Sequence, residues 1–526
     1  MPAKFIRNIR RVVQILTLLF FLYSFVFAAD YLEPKPEVAQ VFYWFDPLVA
    51  LTATLAGRAV LAGLALSGIT LVATLLFGRI WCGWLCPMGT VLDIIRPKRG
   101  SQGNTPSPPA EKWRGIKYLL LIFMLAAALL GNQSLLFLDP ITILTRTMSN
   151  AIFPAMSAAV YAVEGFLYGF DFLWGPLDAI HQTVIYPLFR DVQPVFSLAV
   201  PLFFAFAGMI ALNWWAERFW CRYLCPLGGL LGLLSRFSFF RRMVSEECTS
   251  CALCTRSCPT GTIDPARNYA SDPAECTVCY NCASSCPHGS ATFKWRLPRR
   301  NPAPRQSYDP SRREVLSMLG LSVVWAALSR VEPINKHSPA NLIRPPGADL
   351  VDFEELCIRC NECVRICPTQ GLQASFLDGG WQNIFTPHLN PRLGYCSYNC
   401  AACSQVCPTG AIPNLSLEDK RHIPIGLARV DRTRCLPWAY NIDCIVCEEA
   451  CPVANKAIKV ETVEVINGHG DVVSIKRPYV VKEMCIGCGT CEYQCPMGGD
   501  AGIHVFTYTE AGGYFGDDPT FGGADG

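Results

Sequence analysis

The sequence predicts two architectures in one chain, a membrane α-helical bundle and a set of small α+β domains organised by cysteine. Three observations predict them. Of 526 residues, 51% are hydrophobic and only 17% charged. The apolar residues gather in uncharged runs near the length of a bilayer crossing, and 28 cysteines recur at fixed, close spacings. Low charge and long apolar runs exclude a disordered or purely soluble chain. With 45 basic and 42 acidic side chains the formal charge is +3, too balanced for nucleic-acid binding through bulk electrostatics. So long a chain is no small disulfide scaffold, which turns the cysteines toward metal.

The membrane half comes first. Residues 12–29 are apolar behind Lys4, Arg7, Arg10 and Arg11, and without a small-residue cleavage site they read as a retained helix. Further crossings are expected over about 60–77, 118–137 and 196–216. Basic residues set the orientation. Arg79, Arg96, Lys98, Arg99, Lys112 and Arg114 lie between the second and third runs, and Arg218, Arg222, Arg236, Arg241 and Arg242 follow the fourth. The loop after the first run has Lys35 against Asp30, Glu33, Glu37 and Asp46, and the loop 139–195 has Arg146 and Arg190 alone. Both ends of this four-helix unit are therefore expected in the cytoplasm. Arg58, near the outer start of the second run, is expected to snorkel or to line a polar site.

The unit is duplicated. Arg79, Trp81, Cys82, Leu85, Cys86, Pro87 and Gly89 are matched by Arg218, Trp220, Cys221, Leu224, Cys225, Pro226 and Gly228. Asp46-Pro47 and Asp139-Pro140 stand at equivalent outer turns. The second copy carries the insertion 139–195, rich in Phe, Tyr and Trp, which is expected to lie along the outer membrane surface. Duplication places Cys82, Cys86, Cys221 and Cys225 side by side. They form a redox-active pair or a four-thiolate metal site, unless they merely pack as small apolar residues.

The other 24 cysteines fall into six quartets. Four follow C-x2-C-x2-C-x3-C-P: Cys248, Cys251, Cys254, Cys258; Cys276, Cys279, Cys282, Cys286; Cys357, Cys360, Cys363, Cys367; and Cys485, Cys488, Cys491, Cys495. Two stretch the first gap: Cys396, Cys400, Cys403, Cys407 and Cys435, Cys444, Cys447, Cys451. Three thiolates two residues apart wrap three corners of an iron–sulfur cube, and the fourth, held off by proline, reaches a second cluster. Structural zinc would instead give paired C-x2-C knuckles at long intervals. Six [4Fe–4S] clusters are expected. Crossed ligation should join Cys248, Cys251 and Cys254 with Cys286, and Cys276, Cys279 and Cys282 with Cys258. Among the later four motifs the outer two are expected to pair, and the inner two, with adjacent pairing as the alternative.

Between the halves, residues 298–313 are rich in Pro and Arg and end in Arg312-Arg313, followed by an uncharged stretch at 315–329. A twin arginine before a modest apolar segment marks export of a folded domain. The expected domains are 1–242, the membrane bundle; 243–297, a two-cluster domain; 298–332, a linker with a fifth helix; 333–507, a four-cluster domain; and 508–526, a Gly- and Asp-rich tail. The first two clusters would then be cytoplasmic and the last four extracytoplasmic, about the bacterial inner membrane.

Only seven histidines occur, with none in the four main runs and no Cys-x-x-Cys-His, so haem is not expected. His181, His388, His422 and His504 read as surface or core residues. No Gly-x-Gly-x-x-Gly or P-loop pattern suggests a nucleotide. Without a hydride carrier, electrons must enter from a partner protein or a quinol.

With these motifs in view, residues 1–297 resemble the NapH/MauN membrane ferredoxins, and 311–507 are similar to the NapG/MauM ferredoxins, as a fusion of the two. The resemblance implies quinol oxidation at the membrane and electron delivery through the clusters to a redox partner, a reductase or cytochrome. It would make the chain a quinol dehydrogenase-type oxidoreductase subunit drawing on the lipid and quinone pool. The alternative is an assembly factor that reduces the metal site of another enzyme through the Cys-x3-Cys-Pro pairs. Asp46, Asp139 and Asp93 are candidate proton acceptors, with turn or capping roles as the simpler reading.

Overall fold

The computed structural model describes residues 2–27, 35–59, 61–95, 111–189, 195–296, 311–329, 342–348, 352–376, 380–466 and 472–507. The acidic loop at 30–33, Arg96, Lys98 and Arg99, Arg190, most of the Pro/Arg-rich seam and the tail lie outside them. Two compact units form. One comprises Met1–Ala28, Glu37–Thr147 and Val200–Leu328; the other comprises Ala29–Pro36, Met148–Ala199 and Ser329–Gly526.

In the first unit, Ala3–Phe27 is one helix of 25 residues. Its Ile15, Leu16, Leu19 and Phe20 are exposed while Arg10 and Gln14 are buried. That inversion suits a helix surrounded by lipid, whose polar residues must turn inward to find partners. Among the described residues this helix and Pro140–Leu167 are long and apolar enough to cross a membrane. The pair Pro36–Trp44 and Pro47–Gly57, bent by 93°, would be a third crossing if it acts as one span. The bend falls at Asp46, whose Oδ1 accepts from the Leu48 and Val49 amides while Pro47 opens the next helix. Arg58 closes that helix in the left-handed region at φ 50° and is exposed.

Hydropathy and helix length part company elsewhere. The run at 60–77 gives a helix only over Ser67–Phe77, that at 118–137 ends at Leu129 before Gly131 at φ 74°, and that at 196–216 gives Ala199–Trp215. All are shorter than the roughly 20 residues of an upright crossing. The insertion 139–195, expected along the membrane surface, instead opens with the 28-residue Pro140–Leu167. Asp139 starts it, as Asp46 starts its counterpart: Oδ2 accepts from the Ile141 and Thr142 amides. The stretch after the twin arginine is helical over Arg312–Ser329. Ser311 and Glu314 close its first turn reciprocally, and Trp325 donates to Ser134 Oγ.

Each copy of the repeat runs through an apolar helix, a π-helical turn and a proline-started helix. The turns are Trp81–Leu85 and Trp220–Leu224, and the helices that follow are Pro87–Ile94 and Pro226–Ser235. The first unit ends in a small α+β domain. Phe240–Val244 pairs antiparallel with Ala291–Trp295, and Ile263–Asp264 with Ala270–Ser271, around the short helices Leu253–Ser257 and Asn281–Ser285.

The second unit holds three antiparallel pairs: Leu372–Ala374 with Pro387–Leu389, Leu427–Val430 with Ile503–Phe506, and the hairpin Ile458–Ile466 with Val472–Val480. Its core joins Ile343, Phe353, Val364, Leu389, Ile425 and Ile503 to ligand-type cysteines. Phe196, expected to begin a crossing, is buried in this core, and Gln373 bonds to the backbone at Val195 and Ser197.

Candidate metal centres

Four of the six motifs share a backbone device. The residues flanking the second cysteine are left-handed: Ser250 and Ala252, Val278 and Tyr280, Arg359 and Asn361, Gly487 and Gly489. Such a turn aims successive amides inward and makes a nest for an anion. The stretched motifs lack this pattern.

The quartets assemble by crossing. Cys286 joins Cys248, Cys251 and Cys254 around one cavity, and Cys258 acts electrostatically on Cys276, Cys279 and Cys282. In the second unit the pairing corrects the nested expectation. Cys367 shares a cavity with Cys396, Cys400 and Cys403, while Cys407 neighbours Cys357, Cys360 and Cys363. Cys495 shares one with Cys435, Cys444 and Cys447, and Cys451 with Cys485, Cys488 and Cys491. Adjacent motifs therefore pair, because each chain segment folds back on its immediate neighbour.

Burial pushes the thiols up, Cys357 and Cys396 to about 11 and Cys435 and Cys447 to about 12. A desolvated thiol loses its proton readily only when a cation takes the proton's place on sulfur, and iron is such a cation. The trailing cysteines also accept amide hydrogen bonds: Ile412 N to Cys407 at 3.4 Å, Ala457 N to Cys451 at 3.3 Å and Gly502 N to Cys495 at 3.2 Å. Thr260, Thr369 and Thr409 place hydroxyls 3.5, 3.5 and 3.9 Å from Cys258, Cys367 and Cys407. The threefold Cys-Pro-Thr in the sequence is the signal that could have singled them out.

Cys82, Cys86, Cys221 and Cys225 are also brought together. All four are buried and free of disulfides, and Cys86, Cys221 and Cys225 each lie within electrostatic reach of Cys82. Among the described residues no group of three His, Cys, Asp or Glu side chains is arranged to hold a metal ion. That is true of the tetrad and the quartets alike, and His181, His422 and His504 bond elsewhere, to Glu164, the Glu418 carbonyl and Glu492.

The turn bearing Cys82 and Cys86 lies directly on the loop bearing Cys276 and Cys279. Gly83 sits so close that a Cβ there would run into the Thr277 carbonyl, and Trp84 Nε1 donates to the Val278 carbonyl at 3.0 Å. Glu275, just before Cys276, anchors the contact. It accepts from Lys117 at 2.6 and 2.5 Å, Arg79 at 3.3 Å and Tyr118 at 3.0 Å, all deeply buried. Burial pushes Glu275 up, but Lys117, Arg79 and Arg114 outweigh it and hold the carboxyl below its ordinary value.

The three candidate aspartates differ. Asp93 is an ion-pair anchor: Arg218 grips both its oxygens at 2.7 Å, with Arg10 and Gln14 beside them. Burial pushes it up, yet Arg218 and then Arg10 pull it down to about 2. Such a group stays charged and is no proton acceptor near neutral pH. Asp46 and Asp139 are helix caps, fully buried, and the structure also brings their carboxyls together. Beyond the capping amides, the two carboxyl groups hydrogen-bond to each other, and among the described residues Asp46 Oδ2 and Asp139 Oδ1 meet no other donor.

Comparison with known proteins fits this chemistry. The 4Fe-4S binding domain families match residues 59–102 with 198–244, 245–261 and 478–499, and a 4Fe-4S dicluster domain matches 356–411. The methylamine utilization ferredoxin-type protein MauM of Methylorubrum extorquens is 36% identical over 210 residues, 37% of this chain and 89% of that protein. The chain belongs to the MauM/NapG ferredoxin-type family. NapG of Escherichia coli is 33% identical over 212 residues, 39% of this chain and 88% of NapG. MauM of Paracoccus denitrificans is 33% identical over 195 residues, 36% of this chain and 81% of its own length. No solved structure matches. This MauM/NapG-type chain is thus an iron–sulfur electron-transfer protein, over a third of its length resembling free-standing relatives.

Proposed function

We propose that the chain fuses a NapH/MauN-type membrane module to its MauM/NapG-type portion, takes electrons from quinol in the bilayer and delivers them to a soluble redox partner, a reductase or cytochrome. Six [4Fe–4S] clusters on the 24 quartet cysteines would supply the one-electron carriers. The observation that carries this reading is the seating of the Cys82–Cys86 turn on the Cys276–Cys279 loop, at the contact of Gly83 with Thr277. A membrane-embedded redox site and the first ferredoxin domain then share a wall. Arg79 and Trp84 hold that wall by bonds to Ala274, Glu275 and Val278.

The duplicated helices would form the quinol site, and the domains beyond the twin arginine would face outward, with the first two clusters inside. Burial of the tetrad counts against the assembly-factor alternative, which needs cysteines that a client metal site can reach. The test is anaerobic reduction of the purified protein by a short-chain quinol, followed by EPR. Cluster signals that grow with quinol, and grow less with quinol in Gly83→Ala while dithionite still reduces every cluster, support the reading. Clusters reducible by dithionite but inert to every quinol tried would overturn it.

A further inference from the structure

We propose that Cys82, Cys86, Cys221 and Cys225 jointly ligate a seventh [4Fe–4S] cluster, built across the internal repeat with two thiolates from each copy. The inference shares with the proposed function only the premise that the chain carries iron–sulfur clusters.

The 4Fe-4S binding domain family matches both copies, at 59–102 and 198–244, and the cysteines in those stretches are Cys82 and Cys86, Cys221 and Cys225. Two thiolates cannot hold a four-iron cube, but the two copies together offer four. The structure brings all four into one buried group.

Cys86 and Cys225 have nearly the same backbone, φ/ψ of −71°/117° and −67°/111°, each just before a proline-started helix. Gly228 N donates to Cys225 Sγ at 3.2 Å, as Gly502 N does to the quartet ligand Cys495. Amide bonds to sulfur stabilise a thiolate ligand and tune its cluster. The same bond caps the helix Pro226–Ser235, so it fixes the direction of the Cys225 sulfur.

Four thiolates on a four-iron core leave a dianion, which in a buried site needs cations. Arg79 and Arg218, equivalent in the repeat and nearly inaccessible, flank the tetrad. Arg79 Nη2 lies 4.0 Å from Cys82 Sγ, and Arg218 Nη1 donates to the Cys82 carbonyl at 3.0 Å. Each arginine reaches across to the other copy. A Cβ at Gly228 would lie 2.7 Å from Arg79 Nη2, and one at Gly89 would lie 3.7 Å from Arg218 Nη2. Both glycines leave room for the exchange. Beside them, Trp81 Nε1 and Trp220 Nε1 are buried donors that no acceptor among the described residues satisfies.

Assembly is transfer of a preformed [4Fe–4S] core from a thiolate-ligated carrier, without net redox change: four Fe–S bonds to the carrier and four cysteine S–H bonds break, four Fe–S bonds to this chain form, and the four protons leave with the carrier's thiolates. The test is iron analysis with EPR and Mössbauer spectroscopy on the full-length protein, beside Cys82→Ser and Cys221→Ser. About 28 irons per chain are expected in the wild type, and about four fewer in either variant, with the other cluster signals retained. A wild-type value near 24, unchanged in both variants, would refute the seventh cluster and leave the six-cluster reading standing. A loss of about two irons would refute the four-iron assignment. A value near zero would bring down both. Should a variant fail to accumulate, the wild-type ratio alone still decides.

Discussion

Glu275→Gln should loosen the seat of the second cluster far more than an ordinary polar substitution. In the native protein this carboxylate is 3% exposed and sits between Lys117, which is fully buried, and Arg79 at 1% exposure. Neutralising it leaves the buried Lys117 without its counter-charge and loosens the hold on Arg79. Breaking one side of a buried pair costs about 3–5 kcal/mol, because the surviving charge can neither reach water nor find a new partner. The amide can still accept one bond from Lys117, so the lower end applies, and local opening should rise by about a hundredfold. Because Glu275 adjoins Cys276, that opening can be read as the rate at which a ferrous chelator captures iron from detergent-solubilised protein. Lys117→Met added to Glu275→Gln removes one stranded cation and should recover much of the loss. Release within twofold of wild type in the single variant, or no recovery in the double, would refute the idea that this network clamps the loop.

Other outcomes follow from the same geometry. Gly83→Ala should separate the cysteine turn from the cluster loop, at a cost of about 1–3 kcal/mol, and weaken quinol-dependent reduction while dithionite still reduces every cluster. Cys367→Ser should abolish the cluster of Cys396, Cys400 and Cys403 and spare that of Cys485, Cys488 and Cys491, as iron content and EPR will report; nested pairing predicts the reverse. His504 is raised above 6.5 chiefly by its hydrogen bond to Glu492. Its contribution to stability is therefore complete below about pH 6.5 and disappears as pH climbs through the raised value. Chelator-driven iron loss should accelerate over that window, and His504→Gln should flatten the dependence.

The cysteine code was the most legible part of the chain, because cluster ligation needs fixed short spacings whatever surrounds them. Even the crossing of the fourth cysteine could be read from the proline that displaces it. The partner of each motif could not, since spacing within a motif says nothing about which loop returns to meet it. The duplication was legible too, and with it the meeting of Cys82 and Cys86 with Cys221 and Cys225. Membrane helices were read less well: hydropathy sums over a window and is blind to where a chain turns. It therefore overran Gly131, and it placed Phe196 in lipid although that ring fills a protein core. The Glu275 clamp was invisible, because Lys117 and Tyr118 lie far from Glu275 in sequence and none of the three stands out alone.

The left-handed residues around the second cysteine of four motifs bear on how the protein matures. Ser250, Ala252, Val278, Tyr280 and Arg359 adopt a conformation that costs a residue with a side chain about 1–2 kcal/mol, Asn361 tolerates it better, and Gly487 and Gly489 adopt it freely. Before iron arrives, the first three of these loops should spring away from their final shape, β-branched Val278 most of all. The last should wait nearly ready. Cofactor loading would then follow a built-in sequence, beginning at the carboxyl-terminal motif and finishing where side chains resist the bend, so that a half-filled molecule is recognisable by which end is still slack.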